Sequence, residues 1–295
     1  MKTRFAPSPT GDLHLGGALV AVASAELAKR SAGAFVVRVE DLDPPRVVRG
    51  AEARILDDLA WLGMKSDEPV VRQSERGAIY ERAIATLAER ALVYPCDCSR
   101  AEIARVASAP HEGEELRYPG TCRDKDPLRE MKREPALRVR VPDGERSFVD
   151  HARGRCVQDL ARDVGDFVLR RGDGVFSYQL AVTVDDTAQA IDLVIRGEDL
   201  LPSTLRQLYL AEMLGCEHVP KYAHVPLVVD STGQRLAKRT RARSVRELRA
   251  AGVLPRAVRA ALEHAVGLHD PTGAWPKTPF FVPKDWEREQ DDDPR

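Results

Sequence analysis

The chain has 295 residues, 43% of them hydrophobic and 31% charged. That composition belongs to a folded globular protein of one large or two ordinary domains, and it excludes a fibrous or disordered chain. Lys plus Arg number 45 and Asp plus Glu 46, so a globally basic nucleic-acid binder is excluded while a local basic patch is not.

Residues 2–6 predict a short strand. The loop Pro7-Ser8-Pro9-Thr10-Gly11 follows, then an Ala- and Leu-rich helix over 16–30, ended by Ser31-Ala32-Gly33. The β-branched, mostly apolar run 34–39 predicts a buried parallel strand, which completes a βαβ unit. Helices are expected over 51–62 and 78–92. The stretch 93–157 breaks this rhythm with a Cys cluster, loop signals and short strand-like runs such as 136–141, and reads as an insertion. Segments 166–171 and 175–184 predict a hairpin across Gly172-Asp173-Gly174. A strand over 192–195, a helix over 203–214 and a strand over 224–229 follow, with a turn at 230–233. From residue 244 the pattern gives two short helices and a tail rich in Pro and Asp, expected to fray. The class is α/β, divided at 1–92, 93–157, 158–240 and 241–295.

The apolar run 18–25 is interrupted by Glu26 and is far too short to span a bilayer. The N-terminus lacks the apolar core of a signal peptide. The expectation is a cytoplasmic protein with no membrane partner. Five Cys are too few for a disulfide scaffold in a chain this long. Cys156 and Cys216 stand apart and are expected to be buried thiols.

Three features carry chemistry. In the first, Leu13-His14-Leu15-Gly16-Gly17 lies where a first strand hands over to a first helix. Such a place offers backbone N–H groups and a positive dipole end to an anion. Gly16 and Gly17 leave room for a flat base, and His14 could donate to a phosphate. The plainer alternative is a turn with a capping His. The second is Arg235-Leu236-Ala237-Lys238-Arg239, where a Lys between Arg residues suits a pyrophosphate leaving group. Alone, it reads more often as a solvated basic loop. The third is Cys96-Asp97-Cys98 with Cys122, which can supply three corners of a tetrahedral zinc site. His111 and Tyr118 are both candidates for the fourth corner, and three free thiols are the alternative.

Taken together, the first two features resemble the class I aminoacyl-tRNA synthetases. Residues 14–17 stand where that class carries His-Ile-Gly-His, and residues 235–239 where it carries Lys-Met-Ser-Lys-Ser, with Gly17, Arg235 and Ala237 as departures. Arg4-Phe5-Ala6-Pro7-Ser8-Pro9-Thr10-Gly11, Arg38-Val39-Glu40-Asp41-Leu42-Asp43-Pro44-Pro45-Arg46 and Val194-Ile195-Arg196-Gly197-Glu198-Asp199-Leu200 resemble the glutamyl branch. The resemblance spans about residues 2 to 240. It implies a Rossmann-like, doubly wound parallel-sheet catalytic domain with a zinc-containing insertion and a short helical C-terminal segment.

It also implies roles for particular residues. ATP, with magnesium, would meet Pro7, His14, Gly16, Gly17 and Lys238, with His14 and Lys238 catalytic and residues 235–239 as the signature loop. L-Glutamate would meet Arg4, Phe5, Ala6, Pro7, Ser8, Glu40, Tyr178 and Arg196. That set has a physical basis, because two carboxylates and one ammonium call for two cations (Arg4, Arg196) and one anion (Glu40). The alternative makes Arg196 and Glu198 a surface pair and Tyr178 a half-buried strand aromatic. The resemblance at residues 118–122 favours Tyr118 over His111 beside Cys96, Cys98 and Cys122, around one structural zinc.

Only 57 residues follow Lys238, too few for a typical anticodon-binding domain. The chain thus resembles the glutamyl-queuosine tRNA(Asp) synthetases, ATP-dependent ligases that attach glutamate to the queuosine base of the tRNA(Asp) anticodon. Expected partners are tRNA(Asp) carrying queuosine, L-glutamate and ATP, with the enzyme itself a monomer. The insertion and the basic run 235–249 are the expected docking surfaces. A shortened glutamyl-tRNA synthetase charging the tRNA 3′ end and a non-catalytic RNA-binding paralogue are the alternatives.

Overall fold

The computed structural model describes residues 1–106, 117–229, 244–267, 275, 279–283 and 286. In chain order, β1 (Thr3–Phe5), α1 (Leu15–Arg30), β2 (Phe35–Val39), α2 (Ala51–Trp61), β3 (Val71–Arg72) and α3 (Gly77–Glu89) come first. Next are β4 (Val93–Cys96), α4 (Arg100–Val106), β5 (Ala136–Val139), β6 (Glu145–Asp150), β7 (Gly154–Asp159), α5 (Leu160–Asp163) and β8 (Val168–Arg170). Then follow α6 (Tyr178–Ala188), β9 (Leu193–Gly197), α7 (Leu201–Leu214), β10 (Lys221–Val225), β11 (Val228–Val229), α8 (Val245–Ala250), α9 (Pro255–Ala265) and β12 (Phe280–Phe281).

Five parallel strands form the central sheet in the order β10-β9-β1-β2-β3. The chain winds one way from β1 to β3 and later fills the other side of β1 with β9 and β10. The strand order reverses beside β1, and in open α/β sheets the carboxyl ends of the strands at such a reversal are the usual ligand position.

Period-two alternation divides the sheet into two unlike faces. Phe35, Val37, Leu193, Ile195, Ala223 and Val225 join Leu15, Leu19 and Val22 of α1 in the largest core, and Val245, Leu248, Val258 and Leu262 of α8 and α9 close it. Each such side chain contributes about 1.5–3 kcal/mol when fully buried. The intervening residues face α6 and α7. There Val36, Val194 and Tyr222 form a small apolar cluster, and Arg4, Arg38, Arg196 and His224 lie beside it, all at most 3% exposed.

The stretch expected as an insertion builds two smaller sheets, one of them completed by β8 from beyond its expected end at residue 157. β4, β5 and β8 pair antiparallel, and β6 and β7 form a hairpin of six paired positions. The hairpin reaches back to the main sheet, where the His151 N–H donates to the Tyr222 carbonyl at 2.8 Å.

Three expectations change. The strand expected over 175–184 is α6 from Tyr178 onward, and only an isolated bridge between Arg170 and Phe176 remains of the hairpin. Ser177 caps the helix through the Leu180 N–H, and Leu180, Ala181 and Val184 share one buried face, so packing overrides the β-branched run 182–184. The strand expected over 224–229 is cut by Pro226 into β10 and β11, which lie in different sheets. Cys156 and Cys216 are half-buried rather than buried, because β7 is an edge of a two-stranded ribbon and Cys216 follows the Gly215 cap of α7.

Candidate active site and metal cluster

The strand ends bring four of the sequence-derived glutamate residues into one buried polar site. Arg4 projects from the middle of β1, Glu40 follows the last residue of β2, Arg196 lies in β9 and Tyr178 begins α6. Arg196 NH1 donates to the Tyr178 hydroxyl at 3.3 Å, and Arg4 NH1 donates to the Ile195 carbonyl at 3.4 Å. Arg196 has no surface partner in Glu198, whose carboxylate pairs with Arg153 at 2.5 Å. Ser8 is exposed, and Phe5 packs into the core behind the site. Ala6 and Pro7 are half-buried, and the Pro7 carbonyl holds the Glu40 N–H at 2.9 Å.

Residues that the sequence reading did not single out complete the site. Asp186 of α6 accepts from Arg4 Nε at 3.3 Å and pairs with Arg38 NH2 at 2.7 Å. Arg38 NH1 donates to Gln189 at 2.8 Å, and Arg38 NH2 lies 3.6 Å from Glu40. Asp185 accepts from Gln73, from Arg76 and from the Tyr80 hydroxyl at 2.9, 2.6 and 2.8 Å. The signal was present in the sequence as Asp185-Asp186 between apolar runs, since adjacent buried acids require cationic partners. Assigning that segment to a strand hid it.

The electrostatics follow from burial. Burial pushes the Glu40 carboxyl up to about 7, against the pull of Arg38 and Arg4. Burial acts the same way on Asp186, but Arg38 and Arg4 hold it below the ordinary carboxylate range. Asp186 is thus the committed counter-ion of the two arginines. Glu40 is an anion in waiting, with a buried Oε1 that accepts no hydrogen bond.

At the start of α1, His14 is the N-cap, and its Nδ1 accepts from the Gly17 N–H at 3.0 Å. The capping role therefore holds, and it fixes the proton of neutral His14 on Nε2, the nitrogen that could donate to a phosphate. A Cβ at Gly17 would meet Leu13 at 3.0 Å and one at Gly16 would meet His14 at 3.2 Å, so the turn is packed around bare backbone. Residues 235–239, including Lys238, lie outside the described residues.

The third feature is brought together. The sulfurs of Cys96, Cys98 and Cys122 lie within 4.8 Å of one another. The Tyr118 hydroxyl sits 3.3 Å from Cys96 and accepts from the Cys122 N–H at 2.8 Å, while His111 lies outside the described residues. Burial opposes the Cys96 thiolate, yet hydrogen bonds from Tyr118, the Cys98 backbone and Arg138 hold its pKa below the usual thiol range. Gly165 permits this packing: its φ is +74°, and a Cβ there would meet the Tyr118 carbonyl at 2.3 Å. Three close sulfurs fit a tetrahedral thiophilic ion. The cluster lies within the β4–α4 region, among its own small apolar core.

Two arginines of the basic run turn inward. Arg246 and Arg249 of α8 both reach Asp57 of α2 at 2.9 Å, and Arg246 lies 3.5 Å from Asp58.

The chain resembles known proteins over nearly its whole length. The family of class I tRNA synthetases (E and Q), catalytic domain, matches residues 1–269. A glutamyl-Q tRNA(Asp) synthetase of Nocardia farcinica is 49% identical over 270 residues, 90% of this chain and 84% of that one. One from Geobacter sulfurreducens is 49% identical over 243 residues, 82% and 76% of the two chains. Among solved structures, a glutamate tRNA ligase from Elizabethkingia meningosepticum in complex with its amino acid superposes with a TM-score of 0.73 at 28% identity. That match covers 89% of this chain and 60% of the ligase. With the parallel sheet, the glycine turn into α1 and this extent of identity, the chain belongs to the class I tRNA synthetases of the glutamate and glutamine type, in the branch of the glutamyl-Q tRNA(Asp) synthetases.

Proposed function

We propose that the protein is an ATP-dependent ligase that activates L-glutamate and transfers it to the queuosine base in the anticodon of tRNA(Asp). The observation that carries this reading is the meeting of buried Arg4 and Arg196 with half-buried Glu40 and Tyr178 at the sheet's reversal, in a chain about half identical to its relatives over most of its length. Two guanidiniums and one carboxyl match the charges of free glutamate.

In the first step the glutamate α-carboxylate attacks the α-phosphorus of ATP, the bond to the bridging oxygen breaks and pyrophosphate leaves with magnesium. Arg4 and Arg196 receive the substrate carboxylates and Glu40 its ammonium. His14, through Nε2, and Lys238 stabilise charge on the phosphates, so the catalysis is positioning and electrostatics. In the second step a hydroxyl of the queuosine cyclopentenediol attacks the mixed anhydride, gives up its proton and releases AMP. Cys96, Cys98 and Cys122, with Tyr118 the nearest oxygen donor, would hold one zinc ion that organises the β4–α4 region, with no part in the chemistry. The arginines of residues 235–243 would meet tRNA phosphates. Arg246 and Arg249 are committed to α2 instead. The enzyme acts as a cytoplasmic monomer.

The test is transfer of labelled glutamate to tRNA(Asp) with its 3′ end protected. Transfer is expected with queuosine-containing tRNA and not with tRNA lacking queuosine. Periodate should abolish it, because only the cyclopentene diol is then exposed. Equal labelling of both tRNAs, or labelling that depends on a free 3′ end, would return the reading to a tRNA-charging enzyme. No glutamate-dependent ATP–pyrophosphate exchange at all would leave an RNA-binding paralogue.

A further inference from the structure

Besides the 3.3 Å bond to Tyr178, the Arg196 guanidinium is held by residues that belong to none of the nucleotide or glutamate motifs. Its Nε donates to His224 Nε2 at 3.0 Å, NH1 to Gln207 at 2.8 Å and NH2 to Thr204 at 2.8 Å. Arginine nitrogens are permanent donors with no acceptor capacity, so the His224 nitrogen facing Arg196 must carry a lone pair. The Thr204 hydroxyl lies 3.2 Å from the same nitrogen. The proton of His224 is therefore on Nδ1, where Asp150 Oδ2 accepts it at 2.5 Å. Asp150 is fixed in turn, because its Oδ1 accepts from the Ala152 and Arg153 N–H groups at 2.9 Å each and from the His224 N–H at 3.1 Å. Asp150, His224 and Arg196 are 1%, 0% and 3% exposed.

The three residues come from separate parts of the fold. Arg196 and His224 are register partners on β9 and β10, and Asp150 ends β6, in the hairpin outside the main sheet. The charged groups facing His224 are Asp150, Arg153 of the β6–β7 turn and Arg196, with Thr204 from α7 and the rings of Phe148 and Tyr222 around them. Burial and the two guanidiniums oppose a second proton on His224, against the pull of Asp150. The imidazole is kept neutral beside a cation, an arrangement useful for holding a donor group in one orientation.

We propose that Asp150 and His224 are positioning residues for glutamate recognition: Asp150 locks the Nδ1–H form of His224, and the lone pair on Nε2 orients the Arg196 guanidinium toward a substrate carboxylate. This rests on the reading of Arg196 as a glutamate-binding residue. It assigns the hairpin a second task, since its last strand residue reaches the amino-acid site from outside the main sheet.

The test uses the full chain and glutamate-dependent ATP–pyrophosphate exchange. In Asp150→Asn the amide oxygen keeps the three backbone N–H groups, and the NH2 group replaces Oδ2. That NH2 donates to Nδ1, moves the imidazole proton to Nε2 and sets N–H against N–H at Arg196, the same tautomer reversal that an Asp-to-Asn change causes in a Ser-His-Asp triad. KM for glutamate is expected to rise roughly 10- to 100-fold, the effect of one lost buried bond to a charged group. KM for ATP should stay unchanged. His224→Gln, whose amide oxygen can take the place of Nε2, should keep most of the glutamate affinity that His224→Leu loses. The 15N–1H NMR spectrum of the wild-type imidazole should show His224 protonated on Nδ1.

Arg196→Ala separates the two levels of the argument. If it raises KM for glutamate and Asp150→Asn does not, the positioning role is overturned and the reading of Arg196 stands. If Arg196→Ala leaves that KM unchanged, both fall. Wild-type His224 protonated on Nε2 overturns the positioning role even where Asp150→Asn does not fold.

Discussion

Under the proposed function, Glu40 sets the pH behaviour expected of the glutamate site. Its carboxyl is raised to about 7, so below that pH it is mostly neutral and cannot meet an ammonium, whereas above it the anion is available. The kcat/KM for glutamate should fall as pH drops below about 7, because kcat/KM reports the free enzyme. Glu40→Gln should be weak at all pH values and lose this slope. Pyrophosphate exchange measured from pH 6 to 8 checks the sign, and a flat wild-type profile would count against Glu40 as the ammonium partner. Arg196→Ala should cost about 2–5 kcal/mol in glutamate binding, by leaving a substrate carboxylate desolvated and unpaired. ATP binding should be spared, and equal losses for both substrates would remove Arg196 from the amino-acid site. Arg4, Glu40 and Arg196 were named in the sequence through the family resemblance, and the structure brings them to one place. Arg38 stood in the sequence only as part of a motif, and Asp186 and His224 not at all, since which charges they meet depends on which strands and helices are neighbours.

At the scale of elements, α2 and α8 are tied by charge at an unequal exchange. Asp57 bonds both Arg246 and Arg249 at the surface, which contributes at most about 1 kcal/mol per pair. Asp58, fully buried one residue on, has two oxygens with no hydrogen bond, and burial pushes its carboxyl up to about 6, against Arg246. An acid with a raised folded pKa destabilises the fold increasingly as pH rises from its unfolded to its folded value, and by a constant amount above. Asp58→Asn should therefore stabilise the protein by about 1–3 kcal/mol above pH 6, with the gain shrinking as pH falls toward 4. Thermal midpoints measured across that range would show it, and a gain that is independent of pH would mean that packing rather than charge is responsible.

The cluster of Cys96, Cys98 and Cys122, proposed to hold zinc, is the other element-scale device. Cys98→Ser should lower zinc content and speed hydrogen exchange across residues 96–106 and 117–122, while pyrophosphate exchange falls much less than transfer to tRNA. Abolished pyrophosphate exchange in a folded, zinc-free variant would place the ion in the chemistry. Here the sequence located three sulfurs, and folding decided that Tyr118 shares their space, through the backbone of Gly165. The same scale holds the clearest misreading: β-branched residues at 182–184 suggested a strand, whereas the Ser177 cap and the buried face of α6 made a helix.

Across the whole molecule, the class and the motifs were legible because they are local. The β-branched, mostly apolar run 34–39 and the glycine turn into α1 are properties of neighbouring residues, and they already specify a βαβ unit. The proposed glutamate set came from the family resemblance, and its two cations and one anion agree with the charges of that substrate. What the linear pattern left open was the order β10-β9-β1-β2-β3, which sets Arg196 and His224 side by side and turns Arg4 and Arg38 toward the same helix. It also left open the return of the β6–β7 hairpin, 74 residues from His224 along the chain, to place Asp150 behind the site. The reason is physical. Local propensity and periodicity act over one or two turns of chain, whereas the balance of buried charge is settled only when distant segments pack and every charge must find its partner.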